Sequence, residues 1–386
     1  MSTPECAPPS GARGSATHVR VLGFRNLADQ EVELGTGLTL LWGANGAGKT
    51  NLLEAVCVGL TGQSCRTRND REMVAFEERL GRVEVDLADG TERRRLLWSF
   101  GRDGDRRHLI DDKPAPADQS GIRPPVAIFI PDRLALLKGP PAGRRGHLDA
   151  LLGALWPARA ELRRAYGRAL AQRNALLGRI RGGSAPRDSL DAWDLELARA
   201  GVELVAARAE AVGALASEFA SAGAELGLRG EPELRYRPRS DASDASELAS
   251  ELSSRRDADL GRGHTTHGPH LDEVEISLGA RSARRYASQG EQRAAVLALL
   301  FAERRALLDA RGAPPLMLLD DVMSELDPDR RALLAARLAE GGGQALLTAT
   351  ERDQLPADCE RLELQMSAGI PARPSIRHAS TPPLRA

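Results

Sequence analysis

The sequence predicts an α/β fold in which a mixed sheet with flanking helices is interrupted by a helical lobe. Three observations support this prediction. A glycine-rich segment at residues 43–50 lies between a strand pattern and a helix pattern. A short apolar run at residues 315–321 ends in two acids. Between these segments, from about residue 146 to residue 226, Ala, Leu, Arg and Glu recur at helical spacing.

The same patterns predict how the chain is divided. The first residues are polar and proline-rich, which is typical of a disordered tail, and the last stretch has a similar character. Strand and helix patterns alternate on both sides of the helical lobe. The predicted segments are a tail at 1–17, the first part of the sheet lobe at 18–145, a helical insertion at 146–255, the second part of the sheet lobe at 256–366 and a tail at 367–386.

Individual elements follow from periodicity and from turn residues. Residues 18–41 contain two alternating apolar runs that predict two strands. The helical insertion is broken at Pro157 and around residues 182–186, and residues 240–254, rich in serine and acids, predict a loop or a short solvated helix. Further elements are expected as a helix at 51–60 and as strands near 82–87, 94–100 and 126–130.

Composition excludes several classes of protein. The 386 residues are 42% hydrophobic, which is enough for a buried core. The formal net charge is −1, so no global field attracts the chain to nucleic acid or to an anionic membrane, and any basic surface must be local. No apolar run of about 18 residues predicts a membrane-spanning helix. The four cysteines lack metal-ligand or disulfide spacing, which favours a reducing cytoplasm.

Residues 43–50 read Gly-Ala-Asn-Gly-Ala-Gly-Lys-Thr and fit the phosphate-loop pattern G-x-x-x-x-G-K-[ST]. The glycines let the backbone curl until successive N–H groups point at phosphates, and the following helix adds its positive amino end. We expect Lys49 to reach the β- and γ-phosphates of ATP and Thr50 to offer its hydroxyl to Mg²⁺. The expected ATP ligands are Gly43, Ala44, Asn45, Gly46, Ala47, Gly48, Lys49, Thr50 and Asn51.

The two acids that end the downstream apolar run complete this prediction. Asp320 is expected to hold Mg²⁺ together with Thr50, and Asp321 to polarise the attacking water. Two acids after an apolar strand can also be an ordinary capped turn. The phosphate loop, whose Lys49 lies 271 residues before Asp320, favours the catalytic interpretation.

A third motif at residues 288–293 reads Ser-Gln-Gly-Glu-Gln-Arg, opens an apolar helix and ends 27 residues before Asp320. It resembles the signature of ABC-type ATPases, whose helix start meets the γ-phosphate of the opposite subunit. A plain helix cap has the same residue types. The signature candidates are Ser288, Gln289, Gly290, Glu291, Gln292 and Arg293, and the residues that resemble the D-loop are Ser324, Glu325, Leu326 and Asp327.

These motifs, in this order, predict an ABC-type P-loop ATPase head with an inserted helical lobe. A phosphate loop without a partner's signature is only half of such a site, so we expect the sites to form in an ATP-dependent homodimer. The predicted catalytic residues are Lys49, Asp320, Asp321 and Ser288.

Spacing and further motifs indicate the subclass. Transporter subunits usually hold the phosphate loop and the acidic strand much closer together, and SMC-type tethers separate them by long coiled coils. The middle-sized insertion resembles that of the RecF family. Stretches that resemble RecF sequences across about residues 18–366 are NLLEA at 51–55, FIPD at 129–132, LLKG at 136–139, the Arg144-Arg145 pair with Leu148-Asp149, GPHLD at 268–272 and DDVMSELD at 320–327.

The chain also departs from the RecF pattern. Leu271 stands where the family usually has a basic residue, and Gly143, Gly146 and His147 are unusual around the double arginine. The resemblance implies a cytoplasmic recombination mediator that binds ATP and Mg²⁺ and dimerises. It also implies duplex DNA binding near single-strand gaps without sequence specificity, and cooperation with RecO and RecR in loading RecA. The implied enzyme activity is a weak, DNA-stimulated ATP hydrolysis that drives release.

Arginine clusters are the sequence's own indication of a DNA surface, because arginine pairs with backbone phosphates. A run of charges is more often a solvated face. Few residues are suited to reading bases, so backbone contacts are expected to dominate. The candidate DNA contacts are Arg66, Arg68, Arg71, Arg144 and Arg145.

Three other functions remain open on the sequence: an SMC-like structural DNA tether, an ABC subunit of a membrane transporter, and an ATPase coupled to a nuclease. The sequence shows no sustained heptad pattern, which counts against the tether. Thr348-Ala-Thr350 stands where transporter ATPases carry a switch histidine, which counts against the transporter. No acidic metal-binding domain is visible after Met366, which counts against the nuclease.

Overall fold

The computed structural model describes residues 14–90, 92–116, 123–340, 342–356, 359–372 and 374–377. The chain forms two compact units. The first combines the residues up to Asp132 with those from Leu307 onwards, and the second comprises Arg133–Ala306. Within the described residues, no helix has the length and apolar character needed to cross a membrane.

The elements are numbered in chain order. The strands are β1 (Ser15–Leu22), β2 (Gln30–Glu33), β3 (Leu38–Trp42), β4 (Leu80–Asp89), β5 (Glu92–Gly101), β6 (Arg106–Ile110), β7 (Lys113–Pro114), β8 (Val126–Phe129), β9 (Pro232–Arg237), β10 (Glu273–Leu278), β11 (Arg281–Ser282), β12 (Leu316–Leu319), β13 (Ala345–Ala349), β14 (Arg361–Ser367), β15 (Ile370–Pro371) and β16 (Ser375–Arg377). The helices are α1 (Lys49–Thr61), α2 (Ala135–Lys138), α3 (Pro141–Leu155), α4 (Leu162–Arg181), α5 (Leu190–Glu225), α6 (Ala245–Ser254), α7 (Arg256–Arg262), α8 (Ala283–Tyr286), α9 (Gln289–Arg311) and α10 (Pro328–Glu340).

The first unit contains two sheets that share α1. One sheet is antiparallel, in the order β2-β1-β4-β5-β6-β7. The other has the order β15-β14-β3-β13-β12-β8, with β14, β3, β13, β12 and β8 parallel. Helix α1 is buried along most of its length and contacts strands of both sheets. A helix that is apolar on most sides must be covered on most sides, and the two sheets cover α1 in this way. Sheets packed on helices confirm the predicted α/β class.

Three stretches of the first unit differ from the predicted elements. Residues 18–41 form three strands rather than two, because the chain turns at Arg25, whose φ is 52°, and again after Gly35, whose N–H donates to Thr39 Oγ1 at 3.0 Å. The predicted carboxyl-terminal tail at 367–386 starts too early in the chain, because β15 and β16 lie within that range and pair with β14. The predicted amino-terminal tail at 1–17 also extends too far, because β1 begins at Ser15 and pairs with β4. Residues 1–13 and 378–386 of the two predicted tails lie outside the described residues.

The second unit is built around α5. This helix contacts α3, α4, α6 and β9, and the small antiparallel sheet has the order β11-β10-β9. The unit is larger than the predicted insertion at 146–255, because α3 already packs on α5, and β10 pairs with β9. The breaks predicted at Pro157 and around 182–186 fall in the connections before α4 and before α5. Residues 240–254 contain helix α6, which is anchored by the buried side chains of Leu248 and Leu252.

A buried ionic network joins the helices of the second unit. Arg173 on α4 is 0% exposed and donates from Nε to Asp194 Oδ1 on α5 at 2.6 Å. Its Nη1 donates to Asp259 Oδ2 on α7 at 2.7 Å and to Thr265 Oγ1 at 2.8 Å. Asp259 also accepts hydrogen bonds from the backbone and side chain of Thr266. The network therefore fixes α7 and the turn after it to α4.

We expect Asp259→Ala to destabilise the protein by about 3–5 kcal/mol, because it leaves the Arg173 charge buried with half of its compensation. The measurement is the urea midpoint followed by far-ultraviolet circular dichroism. Glu161→Ala removes an exposed partner of Arg164 and Arg168 and should leave the midpoint unchanged. Equal midpoints for the two variants would contradict a stabilising role for the network.

Candidate nucleotide site

The carboxyl ends of three neighbouring parallel strands bring the predicted motifs of the first unit together. Strand β13 pairs with β3 on one side and with β12 on the other. The loop at 43–50 follows β3, Thr348 lies near the end of β13, and Asp320 follows β12. Ligands commonly bind at this edge of a parallel sheet. A cavity of about 410 Å³ lies here, and it is lined by Asn26, Asn45, Gly46, Gly48, Lys49, Thr50, Asn51, Arg66, Asp320, Asp321, Thr348 and Thr350.

The loop at 43–50 has a backbone that glycine makes possible. Gly43 and Gly48 have φ values of 149° and 96°, which side chains other than hydrogen rarely permit. A Cβ on Gly43 would lie 2.4 Å from Met366 O, and one on Gly48 would lie 2.9 Å from Leu27 Cδ2. At Gly43 and Gly48 the loop therefore has no room for a larger residue, and the chain continues from it into α1.

Residues outside the motif support the loop. Gly369, in the turn between β14 and β15, donates its N–H to Ala47 O at 3.0 Å. Asn26 donates from Nδ2 to Gly46 O at 3.2 Å and accepts from Asn51 Nδ2 at 2.6 Å. The sequence analysis did not identify Gly369 or Asn26 as site residues. Gly369 reaches the loop because β14 pairs with β3, and the sequence does not reveal that pairing.

Lys49 is buried at the base of the cavity. Its Nζ donates to Gly43 O at 2.7 Å and to Ala44 O at 2.9 Å. Burial lowers the pKa of the Lys49 ammonium, and the charges of Asp321 and Asp320 partly offset that effect. An ammonium group has three N–H donors, so one remains for a phosphate oxygen.

Asp320 is held by two threonine hydroxyls. Thr50 Oγ1 donates to Asp320 Oδ1 at 2.8 Å, and Thr348 Oγ1 donates to the same oxygen at 2.7 Å. Mg²⁺ prefers a few protein oxygens together with phosphate and water oxygens, and Thr50 with Asp320 supplies such a pair. The described part of the chain contains no group of three or more His, Cys, Asp or Glu side chains placed to hold a metal by themselves. The donor set therefore fits Mg²⁺ that arrives with a nucleotide.

Asp321 has an unusual backbone and an unpaired side chain. Its φ is 49°, in the left-handed region that is strained for residues other than glycine. Its N–H donates to Thr348 Oγ1 at 2.9 Å, and its carbonyl accepts from Ser324 Oγ at 2.9 Å. Within the described residues its buried Oδ1 has no hydrogen-bond partner. A buried carboxylate oxygen without a partner is costly, and here it is suited to accept a proton from a bound water.

Arg66, one of the candidate DNA contacts, lies at the nucleotide cavity. Its Nη1 donates to Asn51 Oδ1 at 2.8 Å and to Glu54 Oε2 at 3.2 Å. Glu54, on α1, is 0% exposed and also accepts from Arg25 Nη2 at 2.7 Å and Ser64 Oγ at 2.5 Å. This anchored network fixes the guanidinium of Arg66 at the rim of the cavity.

The other candidate DNA arginines have different environments. Arg68 and Arg71 are exposed. Arg144 is 7% exposed and donates twice to Glu273, at 2.7 and 2.8 Å, and to backbone carbonyls. Its donors are thus engaged within the second unit. Arg145 is half-buried and donates to Asp272 O at 2.7 Å.

The signature candidates form the start of α9 in the second unit. Ser288 N donates to Glu291 Oε2 at 2.8 Å, and Glu291 N donates to Ser288 Oγ at 3.3 Å, which is a capping box. Gln292 Nε2 donates to Ala287 O at 2.8 Å, and Ser288, Gln289 and Gly290 are exposed. The helix-cap and the signature interpretations therefore describe the same geometry: a well-formed helix start that faces outward.

The D-loop candidates follow Asp321 in the first unit. Leu326 is buried, and Asp327 Oδ1 accepts from Arg330 N at 3.0 Å at the start of α10. Ser324 is exposed, and the side chain of Glu325 lies outside what the structure describes. This segment thus links the acidic strand end to a capped helix.

Known proteins resemble this chain over nearly its whole length. The RecF/RecN/SMC N terminal domain family matches residues 16–368. The DNA replication and repair protein RecF of an Anaeromyxobacter species is 42% identical over 342 residues, which cover 86% of this chain and 91% of that protein. RecF of Myxococcus xanthus is 39% identical over 350 residues, which cover 87% of this chain and 90% of that protein.

Solved structures agree with these relatives. A structure of the recombination mediator protein RecF with ATP, described as part of the RecFOR pathway, superposes with a TM-score of 0.84 at 26% identity. It covers 94% of this chain and 98% of that one. An Smc head bound to a domain of ScpA superposes with a TM-score of 0.55 at 16% identity over 94% of this chain and 97% of that one, which shows a shared fold alone.

Proposed function

Because the chain belongs to the RecF family of ABC-type ATPases, we propose that it is an ATP-gated, dimerising DNA-binding protein of recombinational repair. The observation that carries the proposal is the meeting of Thr50, Lys49 and Asp320 in one cavity, with the unpaired carboxylate of Asp321 beside them. These groups supply what ATP hydrolysis requires: a phosphate cradle, a metal position and an acceptor for a water proton.

The proposed chemistry assigns one task to each group. Loop N–H groups and Lys49 bind the phosphates, Thr50 and Asp320 hold Mg²⁺, and Asp321 orients the attacking water. When bound, Mg²⁺ neutralises charge on the β- and γ-phosphate oxygens.

The proposed dimer supplies the rest of each site. The outward-facing start of α9, with Ser288 and Gly290, would offer its N–H groups to the γ-phosphate held by the partner subunit. Residues 324–327 would line the contact from the other side. ATP would thereby connect two copies, and its hydrolysis would separate them.

We further propose that the ATP-bound dimer binds duplex DNA near single-strand gaps in the cytoplasm and, with RecO and RecR, helps to load RecA. The RecFOR pathway named for the structural relative supports this assignment. Contacts would involve exposed arginines such as Arg68 and Arg71 and the DNA backbone, so binding should weaken steeply as salt rises.

We expect Asp321→Asn to slow ATP hydrolysis by about 10²- to 10⁴-fold while preserving ATP-bound dimers, because the amide still fits the cavity but no longer accepts a proton. Hydrolysis is measured as phosphate release, and DNA binding as fluorescence anisotropy of a gapped duplex. The variant should remain on the gapped duplex with ATP for much longer than the wild type.

Asp329→Asn is the matched control, since Asp329 is exposed in the first turn of α10. It should behave as the wild type in both assays. Normal turnover by Asp321→Asn would show that Asp321 does not activate water. If the wild type bound the gapped duplex equally with ATP, with ADP and without nucleotide, the proposed gating would be wrong.

A further inference from the structure

The second unit contains a cavity whose lining is unusually basic. The cavity has a volume of about 330 Å³ and lies among α3, α4, α5 and the turn that carries His270. Among the described residues that line it, the ionised side chains are one acid, Asp149, and four arginines: Arg145, Arg163, Arg164 and Arg208. We call this cavity the arginine pocket.

The single acid of the arginine pocket is already shared. Arg208 donates to Asp149 through Nε at 2.8 Å and through Nη2 at 3.0 Å. Arg163, 61% exposed, lies with its Nε 3.1 Å from the same carboxylate. Two acids outside the lining take part as well: Arg208 also contacts Asp272 Oδ2 at 3.3 Å, and Arg164 contacts the exposed Glu161 at 3.1 Å. The lining itself still holds one acid and four arginines. The pocket lining keeps a surplus of positive charge.

Arg145 contributes most to this surplus. Its described contact is one hydrogen bond from Nη1 to the backbone carbonyl of Asp272, at 2.7 Å. No carboxylate of the described residues lies within 4 Å of its guanidinium. Burial lowers the pKa of Arg145 and the charge of Arg208 lowers it further, while the more distant charges of Glu273, Asp272 and Asp149 partly offset that effect. A half-buried guanidinium that faces a cavity without a carboxylate partner favours the binding of an anion.

The remaining polar wall of the arginine pocket is neutral. Tyr166 Oη donates to His270 Nδ1 at 2.7 Å, and His270 Nε2 donates to Thr265 O at 3.1 Å. Burial lowers the pKa of His270, which keeps the imidazole uncharged at neutral pH. This pair braces the wall and adds no negative charge that would compete with a bound anion.

Two glycines give the arginine pocket its space. Gly146 on α3 and Gly167 on α4 line it, and a Cβ added to either would meet no atom within 4 Å. Small-molecule sites span about 300–1,000 Å³, so the pocket, near the lower end of that range, has room for a ligand the size of a mononucleotide rather than for a larger one.

We propose that the arginine pocket binds a phosphate group through Arg145, Arg163 and Arg164, as a second anion site with residues distinct from those of the ATP cavity. The phosphate is either a backbone phosphate of DNA or that of a small nucleotide. If DNA supplies it, the inference rests on the proposed function; if a small nucleotide supplies it, the inference stands without that function.

The test uses the full chain with Gly146→Gln, which fills the arginine pocket from a helix position with open space, and with Arg145→Gln, which removes the unmatched charge. Gly178→Gln is the matched control, because Gly178 is an exposed glycine of α4 that also has open space and does not line the pocket. One arm titrates inorganic phosphate and AMP by calorimetry on a Lys49→Ala background, which removes phosphate binding at the ATP cavity. The other arm titrates a gapped duplex with ATP on the wild-type background.

Arg145→Gln should weaken binding by about tenfold or more, and Gly146→Gln should abolish it, whereas Gly178→Gln should change nothing. An effect confined to the first arm identifies a small nucleotide, and one confined to the second identifies DNA. Unchanged binding by Gly146→Gln and Arg145→Gln in both arms, or no phosphate-dependent binding in either arm, would overturn the proposal. ATP-dependent DNA binding that survives both substitutions would leave the proposed function standing without the pocket.

Discussion

Lys49→Ala is expected to abolish ATP binding and, with it, ATP-dependent dimerisation. Among the described residues, Lys49 and Arg66 are the cations that line the ATP cavity, and Asp320 and Asp321 are its acids. Removing Lys49 leaves the acids in excess, so the cavity repels the phosphates that it should hold. The loss of charged hydrogen bonds to phosphate predicts affinity that is weaker by at least about a hundredfold.

The measurement is titration of a fluorescent ATP analogue together with light-scattering mass in the presence and absence of ATP. The chain offers a matched control, because it has lysine only at Lys49, Lys113 and Lys138, and Lys113 lies exposed on β7. Lys113→Ala should bind ATP and dimerise as the wild type does. A Lys49→Ala protein whose mass still doubled with ATP would show that nucleotide in this cavity does not drive the association.

The phosphate loop and the acidic strand could be predicted from sequence because their chemistry is local. Eight consecutive residues specify the loop, and an apolar run followed by two acids specifies the end of β12. The parallel sheet then brings the loop and the two acids together, because β3, β13 and β12 are neighbours and their carboxyl ends lie at the same edge. That geometry also explains why Thr348, at the end of the middle strand, bonds to both acids.

The supporting residues could not be predicted because they depend on distant pairings. Gly369 reaches the phosphate loop because β14 pairs with β3 more than 300 residues away in sequence. The charge of Arg66 makes it a candidate DNA contact, but its place at the nucleotide cavity depends on the buried carboxylate of Glu54 and cannot be predicted from charge. Two adjacent arginines show that charge does not predict environment either. Arg144 is buried against Glu273, whereas Arg145 lines the arginine pocket. A charge pattern alone does not distinguish these environments.

Ser288→Arg is expected to abolish ATP-dependent dimerisation and hydrolysis while leaving ATP binding to the single subunit intact. Ser288 caps α9 through its exchange of hydrogen bonds with Glu291, and it is exposed at the helix start. An arginine there loses the cap and places a long side chain where the partner's nucleotide would approach. Ser246→Arg is the control, because Ser246 is exposed in the first turn of α6.

Mixing Ser288→Arg with Lys49→Ala protein tests directly whether each site is shared between two subunits. Each variant alone should be inactive, since neither can form a dimer that contains an intact site. In a mixed dimer, one site combines an intact Lys49 from the first variant with an intact Ser288 from the second, so measurable hydrolysis should return. The other site carries both defects, so activity should stay below that of the wild type. If the mixture remained as inactive as its components while cross-linking showed mixed dimers, residues 288–293 would not complete the partner's site. Their role would then be that of an ordinary helix cap.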